Sequence, residues 1–125
     1  MWRAERKEID TWATPLVVET NGRAQVVTSG MNRLRSYDIE NGNIVWESAG
    51  VTMNPIPSPV AADGMVFVTS GFRVGILSAF DAKTDKPHYQ LQRLDGVPNV
   101  FASPVAAGGR VYVPGREGAT LVSCD

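Results

Sequence analysis

The sequence predicts an all-β fold assembled from a repeated unit of four short strands. Three observations predict it. A strand led by proline recurs three times, with Pro15 to Pro59 spanning 44 residues and Pro59 to Pro104 spanning 45. Each of these strands runs into a two-residue turn, Asn21-Gly22, Asp63-Gly64 or Gly108-Gly109. A later strand in each copy ends on aspartate, Asp38, Asp81 and Asp125, at intervals of 43 and 44 residues. Short β-rich runs split by Gly, Asn, Asp and Pro fill the remainder, leaving no place for a helix longer than a turn or two.

Strands A and B come first in each unit. They read Thr14–Val18 and Ala24–Gly30 in the first copy, Ser58–Ala62 and Met65–Gly71 in the second, and Ser103–Ala107 and Arg110–Gly115 in the third. Asn-Gly, Asp-Gly and Gly-Gly tolerate positive φ at both central residues of a type I′ turn, whose twist matches that of the flanking strands. The prolines sit at the first residue of strand A, where a missing N–H costs little. Strand C is Leu34–Asp38, Ile76–Asp81 and Leu121–Asp125, and strand D is Asn43–Glu47 and His88–Gln92. Trp2 lies 13 residues before Pro15, as Trp46 lies 13 before Pro59. Residues Met1–Arg6 therefore read as a strand D without its own A–C strands.

Four short strands per ~44 residues make one β-propeller blade. The strand order is D-ABCD-ABCD-ABC, about three blades. Residues 1–8 are expected to be strand D of a split blade, 9–50 blade 1, 51–95 blade 2, and 96–125 strands A–C of the split blade.

The segment from Ser36 to Trp46 resembles the tryptophan-docking signature of pyrroloquinoline-quinone-like (PQQ-like) propellers, Ala-x-Asp-x-x-x-Gly-x-x-x-Trp. Asp38, Gly42 and Trp46 match, and Ser36 replaces the alanine. The second copy keeps Ala79 and Asp81 but carries Asp85 and Tyr89 in the glycine and tryptophan places. The resemblance implies an indole lying across the seam between blades. A large flat ring near a strand end buries much area there, and an aspartate before a tight turn can accept backbone N–H bonds. Trp2, Asp38, Gly42, Trp46, Asp81 and Tyr89 are thus expected to be structural docking residues.

Some members of the family are quinoprotein dehydrogenases, which hold quinone and Ca²⁺ on the axis and often carry an adjacent cysteine pair. Here Cys124 is the single cysteine and His88 the single histidine, so neither a disulfide nor a Cys/His metal cluster is available. Asp81 and Asp85 flank a turn without Ca²⁺-loop spacing. Twelve basic residues face thirteen acidic ones, which gives no electrostatic reason to bind nucleic acid or an anionic membrane. Arg33, Arg35, Arg73 and Arg116 are scattered without interleaved aromatics. No apolar run reaches the ~20 residues that span a bilayer. No catalytic residue, metal site or cofactor is expected. Asp10, Asn54 and Asn99, each five residues before a strand-A proline, are weak candidates for an axial funnel. Capping the turns that lead into strand A is their plainer role.

The expected function is that of a non-enzymatic PQQ-like propeller module, an interaction scaffold or a fragment of a larger propeller. A piece of a quinoprotein dehydrogenase, or a small-ligand or sugar-binding propeller using the axial funnel, is the alternative. Family members without quinone chemistry include a lipoprotein of the outer-membrane β-barrel assembly machinery. The N-terminus lacks the apolar core of a signal peptide, which as written predicts the cytoplasm; the resemblance implies a periplasmic or extracellular full-length parent. Three blades leave two apolar flanks wet, so the expected partner is a second copy. The homodimer would make one six-bladed ring in which each N-terminal strand completes the other copy's last blade. Another protein is a further possible partner.

Overall fold

The computed structural model describes residues 1–49, 52, 55–71, 74–84, 86–116 and 121–124, with the backbone alone for 87–91 and 121–124. Eleven strands are present among them: β1 Leu16–Thr20, β2 Arg23–Gly30, β3 Arg33–Asp38, β4 Ile44–Ala49, β5 Val60–Ala62, β6 Met65–Ser70, β7 Ile76–Asp81, β8 Pro87–Arg93, β9 Val105–Ala107, β10 Arg110–Pro114 and β11 Leu121–Cys124. They form three antiparallel sheets, β1-β2-β3-β4, β5-β6-β7-β8 and β9-β10-β11. Each sheet pairs its strands in sequence order, as propeller blades do.

The turn chemistry sets the hairpins. Asn21 and Gly22 have φ of 53° and 71°, Asp63 and Gly64 52° and 76°, and Gly108 and Gly109 57° and 75°. All three turns thus hold the paired left-handed residues that a type I′ hairpin demands. From there the register is common to the blades. Leu16 faces Val27, Val60 faces Phe67 and Val105 faces Tyr112. Pairing makes Val27 the counterpart of Phe67, one residue away from the match obtained by aligning the sequence on Gly30 and Gly71. The shift arises because β1 has five residues where β5 and β9 have three.

Those two extra residues have a use. Gln25 is buried at the place where the second blade has half-buried Met65. Its Nε2 donates to Thr20 Oγ1 at 2.7 Å, and its Oε1 accepts from Ser36 Oγ at 2.5 Å. Thr20 lies in the longer hairpin, and Ser36 is the residue that departs from the family's alanine. A buried amide costs little once such partners are supplied.

The core lies between the sheets. Val18, Val27, Leu34 and Trp46 of the first pack with Val66, Val68, Phe80 and Ala82 of the second. Leu77 of the second sheet packs with Val111 and Val113 of the third, together with Leu94, Val97 and Val100 of the connecting segment. The second blade thus presents one apolar face forward and one back.

Residues 1–8 form no strand. A strand D pairs its backbone with a strand C, and no strand C free on its outer side lies beside this segment. β11 is the outer edge of the third sheet. No helix occurs among the described residues, so none is long and apolar enough to cross a membrane.

Candidate functional site

The chemistry of the fold is concentrated at the seams. Trp46 sits on β4, opposite Ser36, just before a register shift that pairs Tyr37 with Ile44. Val45 is the extra residue. A bulge of this kind bends the strand and re-aims its side chains, here sending the indole to the next blade, where Nε1 donates to the Ala82 carbonyl at 3.2 Å. In β7–β8 the pairing Ala79–Tyr89 is followed by Phe80–Pro87, the same irregularity at the same place. The Tyr89 side chain lies outside the described residues.

Trp2 repeats the arrangement one blade earlier. Its Nε1 donates to the Ile39 carbonyl at 2.9 Å, and its ring stacks on Tyr37 with centroids 6.2 Å apart. Ile39 follows Asp38 as Ala82 follows Asp81, and Tyr37 is the counterpart of Phe80 beneath Trp46. Gly42, at φ 75°, lies directly under the Trp2 ring, so a Cβ at this position would fall inside the indole.

The aspartates hold the turns on which these indoles dock. Asp38 Oδ1 accepts from the Glu40 and Asn41 amides at 2.8 and 3.3 Å, and Asp81 Oδ1 accepts from Lys83 and Thr84 at 2.8 and 2.9 Å. The Glu40 amide, with Arg23 Nε at 2.6 Å, holds the Asp38 carboxyl below its ordinary value against the opposing effect of burial. The Lys83 and Thr84 amides lower Asp81 in the same way.

The rest of the N-terminal segment also lies on the first blade. Arg35 Nη1 pairs with Glu8 Oε1, and Arg35 Nε with Glu47 Oε2 at 3.0 Å. The counterpart of Glu8 in the next unit, Thr52, hydrogen-bonds Ser70 of the second blade. Trp2 and Glu8 therefore occupy on the first blade the places that Trp46 and Thr52 occupy on the second.

The funnel candidates are backbone anchors in two of three cases. The Asp10 carbonyl accepts from Met31 N–H at 3.4 Å, and the Asn99 carbonyl accepts from Arg116 N–H at 3.0 Å. Asn54 lies outside the described residues. A different set meets between the blades. Thr14 N–H donates to Ser58 Oγ at 2.8 Å, and Ser58 N–H donates to Ser103 Oγ at 3.0 Å. These hydroxyl residues were missed as a group, although each directly precedes a strand-A proline. The hydroxyl that recurs beside each of these prolines is the sequence signal of the set.

A cavity of about 400 Å³ opens between the A–B hairpins of the second and third blades, lined by Ala62, Met65, Phe67, Ala106 and Arg110 among others. It is mainly apolar and gathers no catalytic set. Among the described residues no three His, Cys, Asp or Glu side chains converge as metal ligands.

A family model described as outer membrane protein assembly factor BamB matches residues 1–125. No curated protein matches the sequence significantly. Among solved structures, the crystal structure of BamB from Moraxella catarrhalis is similar, with a TM-score of 0.67 at 16% identity. The match covers 98% of this chain and 37% of that one, so the chain spans well under half the length of that protein. At that identity the likeness establishes the fold.

Proposed function

The chain belongs to the family described as outer membrane protein assembly factor BamB, and from that premise we propose that it is a non-enzymatic propeller module serving as a protein-interaction scaffold in outer-membrane protein assembly. The observation that carries the reading is the use made of the signature residues. Trp46 donates across a seam to Ala82, Trp2 donates from the N-terminal segment to the equivalent Ile39, and the paired aspartates hold the receiving turns. In this reading the docking set of Trp2, Asp38, Gly42, Trp46 and Asp81, with Tyr89 added by its place in the repeat alone, makes the blades a rigid support. Rigid scaffolds present loops to partners. The periplasm then replaces the cytoplasm as the compartment, and the partners are proteins, with no nucleic acid and no inserted membrane segment.

Residues 9–50 and 51–95 are the two whole blades of this reading, and 96–125 with 1–8 the halves of a split one. Two copies close a six-bladed ring, within the four to eight blades typical of propellers. The support for closure is that residues 2–8 already sit on the first blade as a strand D from a preceding blade would.

The enzymatic alternative has a direct test. Pyrroloquinoline quinone and Ca²⁺ are added and the protein is passed through gel filtration. Quinone absorbance is expected to leave with the small molecules; absorbance that stays with the protein overturns the non-enzymatic reading. Light scattering tests the ring, which requires a particle of twice 13.5 kDa.

A further inference from the structure

We propose that Asn21, at the tip of the first hairpin, is a site of spontaneous deamidation, and that the fold selects it over Asn41, which also precedes a glycine. The chain holds two Asn-Gly pairs, Asn21-Gly22 and Asn41-Gly42. Glycine after asparagine favours this modification, because no Cβ hinders the approach of the glycine nitrogen to the side-chain amide. In the first step the Gly22 nitrogen attacks Asn21 Cγ. A bond from that nitrogen to Cγ forms, the bond from Cγ to Nδ2 breaks, and ammonia leaves with the proton of the glycine amide. Water then opens the cyclic imide at either carbonyl. One opening leaves aspartate, and the other leaves isoaspartate, whose main chain runs through the former side chain. No electrons are exchanged, and water is the co-reactant.

The two pairs are alike in sequence and unlike in the fold. Both reacting groups of the second pair are held. Gly42 N–H donates to the Asp38 carbonyl at 2.9 Å, and Asn41 Oδ1 accepts from the Asn43 amide at 2.8 Å. The Asn41 amide donates to Asp38 Oδ1 at 3.3 Å, and the Trp2 ring covers Gly42. Bringing the Gly42 nitrogen to Asn41 Cγ disrupts these contacts together, so it needs a costly local opening. Asn21 and Gly22 are both exposed, with φ of 53° and 71°, and no atom lies within 4 Å of the place a Gly22 Cβ would take. This left-handed turn must also relax before its nitrogen reaches Cγ. The relaxation is confined to the tip beyond the Thr20–Arg23 pair.

The two products act differently on the hairpin. The second blade carries Asp63-Gly64 in the same turn, at φ of 52° and 76°, so an aspartate at position 21 fits without change. Isoaspartate adds a backbone carbon to a turn that sets Thr20 opposite Arg23. Thr20 Oγ1 accepts from Gln25 Nε2 at 2.7 Å, so the lengthened turn pulls on a buried amide.

The full-length chain is incubated at mildly alkaline pH, with and without urea, and sampled over time by peptide mass mapping. In the folded protein Asn21 is expected to deamidate on the order of tenfold faster than Asn41, the ratio that about 1.4 kcal/mol of extra local protection gives. In urea the two rates should converge. A folded protein in which Asn21 reacts no faster than Asn41 overturns the inference. A preference for Asn21 that persists in urea also overturns it, because flanking sequence would then be the selector. Asn21→Asp should melt as the parent does, whereas aged protein enriched in isoaspartate at position 21 should melt lower. A lowered melting temperature for Asn21→Asp, or an unchanged one for the isoaspartate form, overturns the assignment of the damage to turn length.

Discussion

At the scale of single residues, the docking tryptophans and their aspartates do most of the work that can be assigned. Trp46 is nearly buried between two blades, and Trp46→Ala is expected to cost about 3–5 kcal/mol, as large aromatic truncations do. A mutant that melts within a degree of the parent would contradict that seam. Gly42→Ala should cost on the order of 1–2 kcal/mol for the left-handed backbone alone, plus the docking of Trp2. Trp2 fluorescence should shift toward that of a solvated indole. In a Trp2→Ala background the extra cost should vanish, which a double-mutant cycle reads directly. The aspartates set an acid limit. Their carboxyls are held below the ordinary value of 3.8 in the fold, so their stabilising effect is complete above that value and is lost as pH falls through the lowered one. Asp38→Asn with Asp81→Asn should flatten the stability profile below about pH 4, measured as urea midpoints across that range. Trp46, Asp38 and Asp81 were legible in the sequence because their spacing repeats. Gly42 was marked by the same signature, but the ring that lies over it was not legible, since Trp2 is forty positions away.

At the scale of elements, the strands from Leu16 onward were readable, whereas the strand D expected at Met1–Arg6 does not form and the register was not readable. The Asn-Gly, Asp-Gly and Gly-Gly turns mark each hairpin unambiguously because only a few residue pairs accept two positive φ angles in succession. The lengthened first hairpin hid the pairing. Aligning on Gly30 and Gly71 places strand B one residue off, and only the backbone ladder shows Val27 opposite Leu16. That hairpin also explains why Ser36 departs from alanine, since it serves Gln25 together with Thr20. Ser36→Ala alone should therefore destabilise by about 1–3 kcal/mol, the cost of stranding a buried amide oxygen. Adding Gln25→Met, the residue of the second blade, should recover most of the loss. Chemical denaturation of the two variants separates these outcomes.

For the whole molecule, the N-terminal segment is the pivotal feature. It carries Trp2 and Glu8 onto the first blade without belonging to that sheet. Deleting residues 1–8 should lower the melting temperature and abolish any dimer, and the melting temperature of the intact protein should rise with concentration, as it does for a folded state coupled to association. Light scattering and melts at several concentrations check this; a dimer unchanged by the deletion would count against blade completion. The place of Trp2 was legible from its spacing to Pro15, but the hydroxyl ladder of Thr14, Ser58 and Ser103 was not, because a serine before proline has an ordinary local explanation. That ladder has a direction, from amide to hydroxyl along the chain. In the proposed two-copy ring the two-fold axis would run through the centre, and both copies would turn the same face to the same side. Whatever surface the loops of one copy offer would then be offered twice, half a turn apart, and a partner with two matching segments would be held by avidity rather than by the strength of either grip.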